Sequence, residues 1–151
     1  MENLKLLITS HSFGSCGKEV FIELENAGIM YNLIKSNTIL KEKDLIDIIV
    51  DYDAIIVGAD IISEEVIDAA KNLKIIAKHG VGLDNIDLEA AKKNNIKVTV
   101  AKDSNSLAVA ELAVSMMTAL ARNITQSTND IKKGIWDRKK GTELSGSTLG
   151  V

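Results

Sequence analysis

Leu73-Lys74-Ile75-Ile76-Ala77-Lys78-His79-Gly80-Val81-Gly82-Leu83-Asp84-Asn85-Ile86-Asp87-Leu88-Glu89-Ala90-Ala91-Lys92-Lys93 runs from an apolar stretch through two glycines into a helical pattern. Leu73 to Ala77 has the length of a buried strand and Asp87 to Lys93 has helical spacing, so Gly80-Val81-Gly82 falls in a strand-to-helix turn. In an open α/β sheet that turn lies at the carboxyl end of a strand, where ligands bind. Two glycines around one small residue let the backbone approach a ligand and aim successive N–H groups at an anion, a carboxylate or a phosphate. A Gly-x-Gly is also ordinary turn chemistry, and spacing alone leaves both readings open.

On the amino-terminal side, apolar runs alternate with helical patterns. Leu4 to Thr9 reads as a buried strand, and Lys18 to Ala27 places Val20, Phe21, Leu24 and Ala27 on one helical face before Gly28 ends it. Ile29 to Ile34 is a second strand, and Lys41 to Val50 a short helix with Leu45, Ile48 and Ile49 inward. Ala54-Ile55-Ile56-Val57 is short and wholly apolar, the pattern of a central strand. Ser63 is placed to cap a helix, with Glu64 and Glu65 in its first turn and Val66, Ile67 and Ala70 on its buried face. After the glycine turn and the helix at 88–93, Ile96 to Val100 supplies a fifth strand. Five βα units predict an α/β fold, a flavodoxin-like parallel five-stranded sheet with helices on both faces. The sequence has no internal repeat and no low-complexity segment.

From Leu107 to Ala121 the only polar residues are Glu111, Ser115 and Thr118, so this helix needs cover on more than one side. It is too short to span a bilayer, which leaves burial between two bodies of protein or a place as a sixth core helix. Asn129 to Lys140 is polar, with Ile131, Ile135 and Trp136 as its expected apolar anchors. With 46% hydrophobic and 26% charged residues, the 151-residue sequence has the composition of a soluble globular protein. The net charge of −3 and a pI near 5.4 argue against a general nucleic-acid or membrane-surface binder. No basic segment followed by an apolar one opens the sequence, and Cys16 has no second cysteine to pair with. A cytoplasmic protein is the expectation. Proline is absent, and no functional account of that follows.

Leu73 to Asp87, with its Lys78-His79-Gly80-Val81-Gly82-Leu83-Asp84-Asn85 centre, resembles the signature of the D-2-hydroxyacid dehydrogenases, particularly the D-3-phosphoglycerate dehydrogenase branch. Ser104-Asn105-Ser106 leading into Val109-Ala110-Glu111-Leu112 resembles that family's second substrate-domain motif, at the expected distance. The resemblance covers the whole sequence. It implies a substrate-binding domain over 1–101, then over 102–151 a long interdomain helix and the start of a Rossmann domain, entered at Leu144-Ser145-Gly146-Ser147-Thr148-Leu149-Gly150-Val151. In such proteins the glycine-rich pyrophosphate turn, the arginine that binds the substrate carboxylate and the His–Glu acid/base pair follow later in the chain. No catalytic residue is therefore assigned here, and the fragment alone is expected to be inactive. The reaction implied is oxidation of a 2-hydroxyacid by NAD, bound mainly by the later domain, with 3-phosphoglycerate in serine biosynthesis as the expected substrate. Gly80, Val81 and Gly82 are expected to face the substrate carboxylate, with His79 and Asn105 as further substrate contacts and Val81 also beside the nicotinamide. A homodimer through the helix at 107–121 is a further expectation.

Two positions depart from the pattern. Where the resemblance implies an arginine after the third strand, to hold a phosphate, the sequence reads Val57-Gly58-Ala59, and Lys102 stands where a proline is usual. Lys102 or His11 is the nearest candidate for the missing charge. His11, in Ser10-His11-Ser12-Phe13-Gly14-Ser15-Cys16-Gly17, follows the first strand and so lies at the carboxyl edge, either to read the distal end of a substrate or as a solvated turn. Cys16 near His11 has no third group to orient a nucleophile. Asp84 and Asn85 are expected to fold the turn and cap the next helix, Glu111 to bond to the signature-loop backbone, and Lys78 to meet an anion or reach solvent. No cluster has metal-ligand spacing. The alternative from another class is a stand-alone flavodoxin-like binding or receiver module, in which Asp60 would be the phosphorylated residue.

Overall fold

The computed structural model describes residues 4–36 and 38–150, which divide into two compact units, one ending at Asp103 and one beginning at Ser104. The first unit is four βα repeats and a fifth strand: β1 (Lys5–Ile8), α1 (Glu19–Asn26), β2 (Met30–Leu33), α2 (Glu42–Ile49), β3 (Ala54–Val57), α3 (Glu64–Ala69), β4 (Ile75–Lys78), α4 (Leu88–Lys93) and β5 (Lys97–Val100). All pairings are parallel, in the order β2-β1-β3-β4-β5, and β3 is the central strand, as its unbroken apolar run predicts. This is the flavodoxin-like order.

Right-handed crossovers put α1 on one face and α2, α3 and α4 on the other, where α2 packs on α3 and α3 on α4. The core lies on that second face. Leu7, Ile55, Val57 and Ile76 from alternate strand positions meet Leu45, Ile49, Val66, Ile67, Ala90 and Ala91 from the helices. The α1 face is thinner: α1 has no buried residue, Val20, Phe21 and Leu24 are half-buried, and Ala27 is exposed, so the expected buried stripe is only half realised. Gly28 does end the helix, at φ +68°. Ile48, expected inward, is half-buried beside fully buried Leu45 and Ile49.

Local capping follows the side chains. Ser63 Oγ accepts from Val66 N at 3.3 Å at the start of α3, as expected. At α4 the cap is Asp87, whose Oδ1 accepts from Ala90 N at 2.9 Å, and not Asp84 or Asn85. Asn85 is one turn too early to reach the free amides and is engaged elsewhere.

The second unit holds α5 (Ser106–Ala121) and α6 (Ile124–Lys132), joined at Asn123, which adopts the left-handed conformation at φ 53°. The polar stretch beginning at Asn129 thus starts inside a helix that periodicity did not reveal. Ile131, Ile135 and Trp136 are 60%, 49% and 80% exposed, so they anchor nothing among the described residues. The tail is held by polar groups instead: Asn123 Nδ2 donates to Lys140 O at 3.0 Å, Thr142 N to Ala121 O at 2.8 Å, and Lys139 pairs with Asp130 and Asp137. Residues 133–150 carry no helix or strand; a strand exists only in pairing, and Leu149 and Gly150 have none to pair with among the described residues. No single described helix is long and apolar enough to cross a membrane.

Candidate functional site

The carboxyl ends of β1, β3 and β4 lie side by side, so the segments that leave them form one edge: Thr9 to Ser12, Gly58 to Asp60, and His79 to Asn85. His79 N donates to Val57 O at 2.9 Å, extending the β3–β4 ladder by one rung. There the strand turns away. Gly80 has φ +148°, a region that disfavours a side chain, and its carbonyl accepts from Ala101 N at 3.0 Å. Gly82 is at an ordinary φ; a side chain there would meet only the movable Asp84 carboxylate, at 2.9 Å. The turn therefore requires the first glycine for its backbone and the second for close access.

The amides of Gly80, Val81 and Gly82 donate to no group among the described residues. Val81 is 47% exposed and Gly82 is exposed, so the amides stand at an open surface. Three successive N–H groups left unpaired at an open surface make a candidate anion nest.

A brace holds both ends of the loop. Lys78 Nζ donates to Gly58 O at 2.7 Å and to Asn85 Oδ1, while Asn85 Nδ2 donates to Asp60 O at 2.6 Å and Gly58 O at 3.1 Å. Asn85 O in turn accepts from Ile62 N at 2.8 Å, and Asp87 N donates to Ile62 O at 2.9 Å, making a short parallel bridge between Ile62 and Ile86. Lys78 is thus turned inward, neither to solvent nor wholly to a ligand. Apart from the Lys78–Asn85 bond, which spans 7 residues, these contacts span 20 to 27 residues and are invisible in local sequence.

Beside the nest is a cleft of about 510 Å³, walled by Ser10, His11, Ser12, Asp60, Lys78 and His79 among others. Ser10 is 3% exposed, and its Oγ lies 2.6 Å from His79 Nδ1, with Ser12 Oγ at 3.4 Å from the same nitrogen. Phe13 meets the imidazole edge-on, with ring centres 5.7 Å apart. His79 is therefore a hydrogen-bonded member of the wall. Asp60 is 4% exposed, and its Oδ1 accepts from Leu40 N at 2.8 Å. A carboxylate so buried and occupied is poorly placed for the phosphorylation that a receiver module requires.

His79, Gly80, Val81 and Gly82 are contiguous and come together; Asn105 belongs to the second unit, at the N-cap of α5, where its side chain makes no capping bond. Glu111 belongs to the second unit, on α5, and is exposed. Cys16 is exposed and free. The sequence marked Asn85 as a turn-folding residue, and its bonds across the loop bear that part out, but gave no sign of Ser10, Gly58 and Asp60 as site builders; the usable signal for these three was position, immediately after a strand at the ligand-binding edge.

Residues 14–144 match the profile of the D-isomer specific 2-hydroxyacid dehydrogenase, catalytic domain. Over 115 residues, 74% of this chain, it is 47% identical to a D-3-phosphoglycerate dehydrogenase of Methanocaldococcus jannaschii and 44% identical to a hydroxypyruvate reductase of Thermotoga maritima. It spans 22% and 38% of those proteins' lengths. Among solved structures, cofactor (NAD+) bound 3-phosphoglycerate dehydrogenase of Entamoeba histolytica superposes with a TM-score of 0.75 at 33% identity, covering 94% of this chain and 43% of that one.

Proposed function

The chain belongs to the D-isomer specific 2-hydroxyacid dehydrogenase family, and on that premise we propose that it is the substrate-domain part of an NAD-dependent oxidoreductase acting on the CH–OH group of D-2-hydroxyacids. The observation that carries the proposal is the row of partnerless amides at Gly80, Val81 and Gly82, held at the sheet edge by the Lys78–Asn85 brace. A carboxylate seated there meets donors already in place, and such positioning supplies a large share of a rate. The half-exposed Val81 side chain beside those amides offers an apolar face suited to a nicotinamide ring, and that is how this chain's residues fit the cofactor. NAD supplies the hydride acceptor. Asn105 and His79 complete the proposed substrate contacts.

No acid/base residue is assigned within the chain, and the chain by itself is expected to turn over no substrate. A cytoplasmic location, a domain boundary near 101, and a homodimer through the helix at 107–121 belong to the same proposal. The relatives' names supply two substrates, 3-phosphoglycerate, a phosphorylated 2-hydroxyacid that would place the parent protein in serine biosynthesis, and hydroxypyruvate, an unphosphorylated 2-oxoacid. The test is to produce the protein through its dinucleotide-binding domain and follow NAD-linked oxidation of a panel of D-2-hydroxyacids. Turnover of at least one is expected; turnover of none refutes the proposal.

A further inference from the structure

Resting on that reading, the cleft beside the nest narrows the substrate. We propose that it receives the substrate's non-reacting end and is built for a hydroxyl group in preference to a phosphate. Among the described residues that wall it, Lys78 is the only lysine or arginine. Its ammonium has three donors, of which Gly58 O and Asn85 Oδ1 already take two. A phosphate dianion needs several charged donors around three oxygens, ideally an arginine fork, and one remaining N–H falls short of that.

The same wall works against a second anion. Asp60 holds there a carboxylate that is 4% exposed and has one oxygen held by Leu40 N. Two anions brought close together repel, whereas a neutral hydroxyl meets no such repulsion. Position 58 is a glycine and supplies no base; a Cβ there would lie 3.1 Å from Ser10 Oγ, so a side chain would need Ser10 to give by a few tenths of an ångström. The rest of the wall is hydroxyls and imidazoles together with Ile39, Gly58 and Ala59, and Ser10 and His79 are tied to each other at 2.6 Å. These are matched to a small polar end-group.

The experiment uses the protein carried through its dinucleotide-binding domain and compares kcat/KM for NADH-dependent reduction of hydroxypyruvate, its 3-phosphate and pyruvate. Hydroxypyruvate is expected to lead its phosphate by about tenfold or more, chiefly through KM, and to lead pyruvate, which lacks the hydroxyl. Asp60→Asn removes the repulsion and is expected to close most of the gap to the phosphate. Because that buried substitution can also disturb folding, Ala59→Arg, at an exposed position on the same edge, serves as the second variant; it is expected to lower KM for the phosphate several-fold. A wild-type preference for the phosphate, or for pyruvate, overturns the inference while leaving the oxidoreductase reading intact. Reduction of none of these, with no turnover of any D-2-hydroxyacid, overturns both.

Discussion

Asn85 uses every polar atom of its side chain, two N–H donors on carbonyls and its oxygen on Lys78. Asn85→Ala leaves an ammonium and two carbonyls short of partners, and about 2 kcal/mol of stability should be lost. Urea unfolding measures it, and amide exchange should accelerate first over residues 79–86. Gly80→Ala acts through the backbone instead: at φ +148° a side chain is strained by about 1–3 kcal/mol although the space is open, the nearest atom being Lys78 Cε at 3.5 Å. A lowered melting temperature tests this, and Gly82→Ala, at an ordinary φ, should cost less. At the other end of the sheet Asp53 accepts from Lys74 Nζ at 2.8 Å and from Lys5 N at 3.1 Å. The Lys74 ammonium, then the Lys5 amide, hold its carboxyl below the ordinary 3.8. A carboxyl depressed on folding stabilises above its unfolded pKa and loses that contribution as pH falls through the folded one. Asp53→Asn should therefore cost about 1 kcal/mol near neutrality, and the difference from wild type should vanish in acid below 3.8. At this scale Gly80 and Ser63 were legible because turn and cap chemistry is local. Asn85 was legible as a residue that folds the turn, but its bonds to Gly58 and Asp60, and that of Lys78 to Gly58, were not, because those partners lie on the loop after the neighbouring strand.

Among the elements, β3 carries the core: Ile55 and Val57 are fully buried between β1 and β4 and beneath the helices. Ile55→Ala should destabilise the first unit by about 2–5 kcal/mol, read by thermal or urea unfolding. Every strand and helix of that unit was legible to within a residue or two at each end, since a parallel sheet writes unbroken apolar runs and its helices write 3.6-residue stripes. Helix α6 was missed because it has no such stripe; Ile124, Ile131 and a polar middle give it no buried face. Helix α5 was legible as an element in want of cover, and Leu107 and Leu120 stand 73% and 80% exposed. Faces of that kind drive association. The chain is expected to self-associate at micromolar concentration and to bind a hydrophobic dye, and Leu112→Gln with Leu120→Gln should reduce both without loss of helical circular dichroism. A clean monomer with no dye binding by sedimentation and fluorescence would count against this.

At the scale of the molecule, a strand-to-helix turn with two glycines and an alternating βα chain led to the family, and the first unit presents that turn as an open row of amides. The chain spans 22% and 38% of the lengths of those two relatives, and the share of the chemistry we propose for it is to hold the substrate. The distal cleft was legible only as an edge position of His11 and His79; its walls come from four segments, at 9–12, 38–39, 58–60 and 78–79, far apart in sequence. The whole account turns on whether the amides of Gly80, Val81 and Gly82 grip a carboxylate. The direct measurement is to titrate the isotopically labelled chain with D-glycerate, and in parallel with glycerol, which lacks the carboxylate, while following backbone amide resonances. The account expects the three amides to shift together and saturably with D-glycerate and to stay still with glycerol. Equal responses to both, or shifts confined to other parts of the chain, would contradict it.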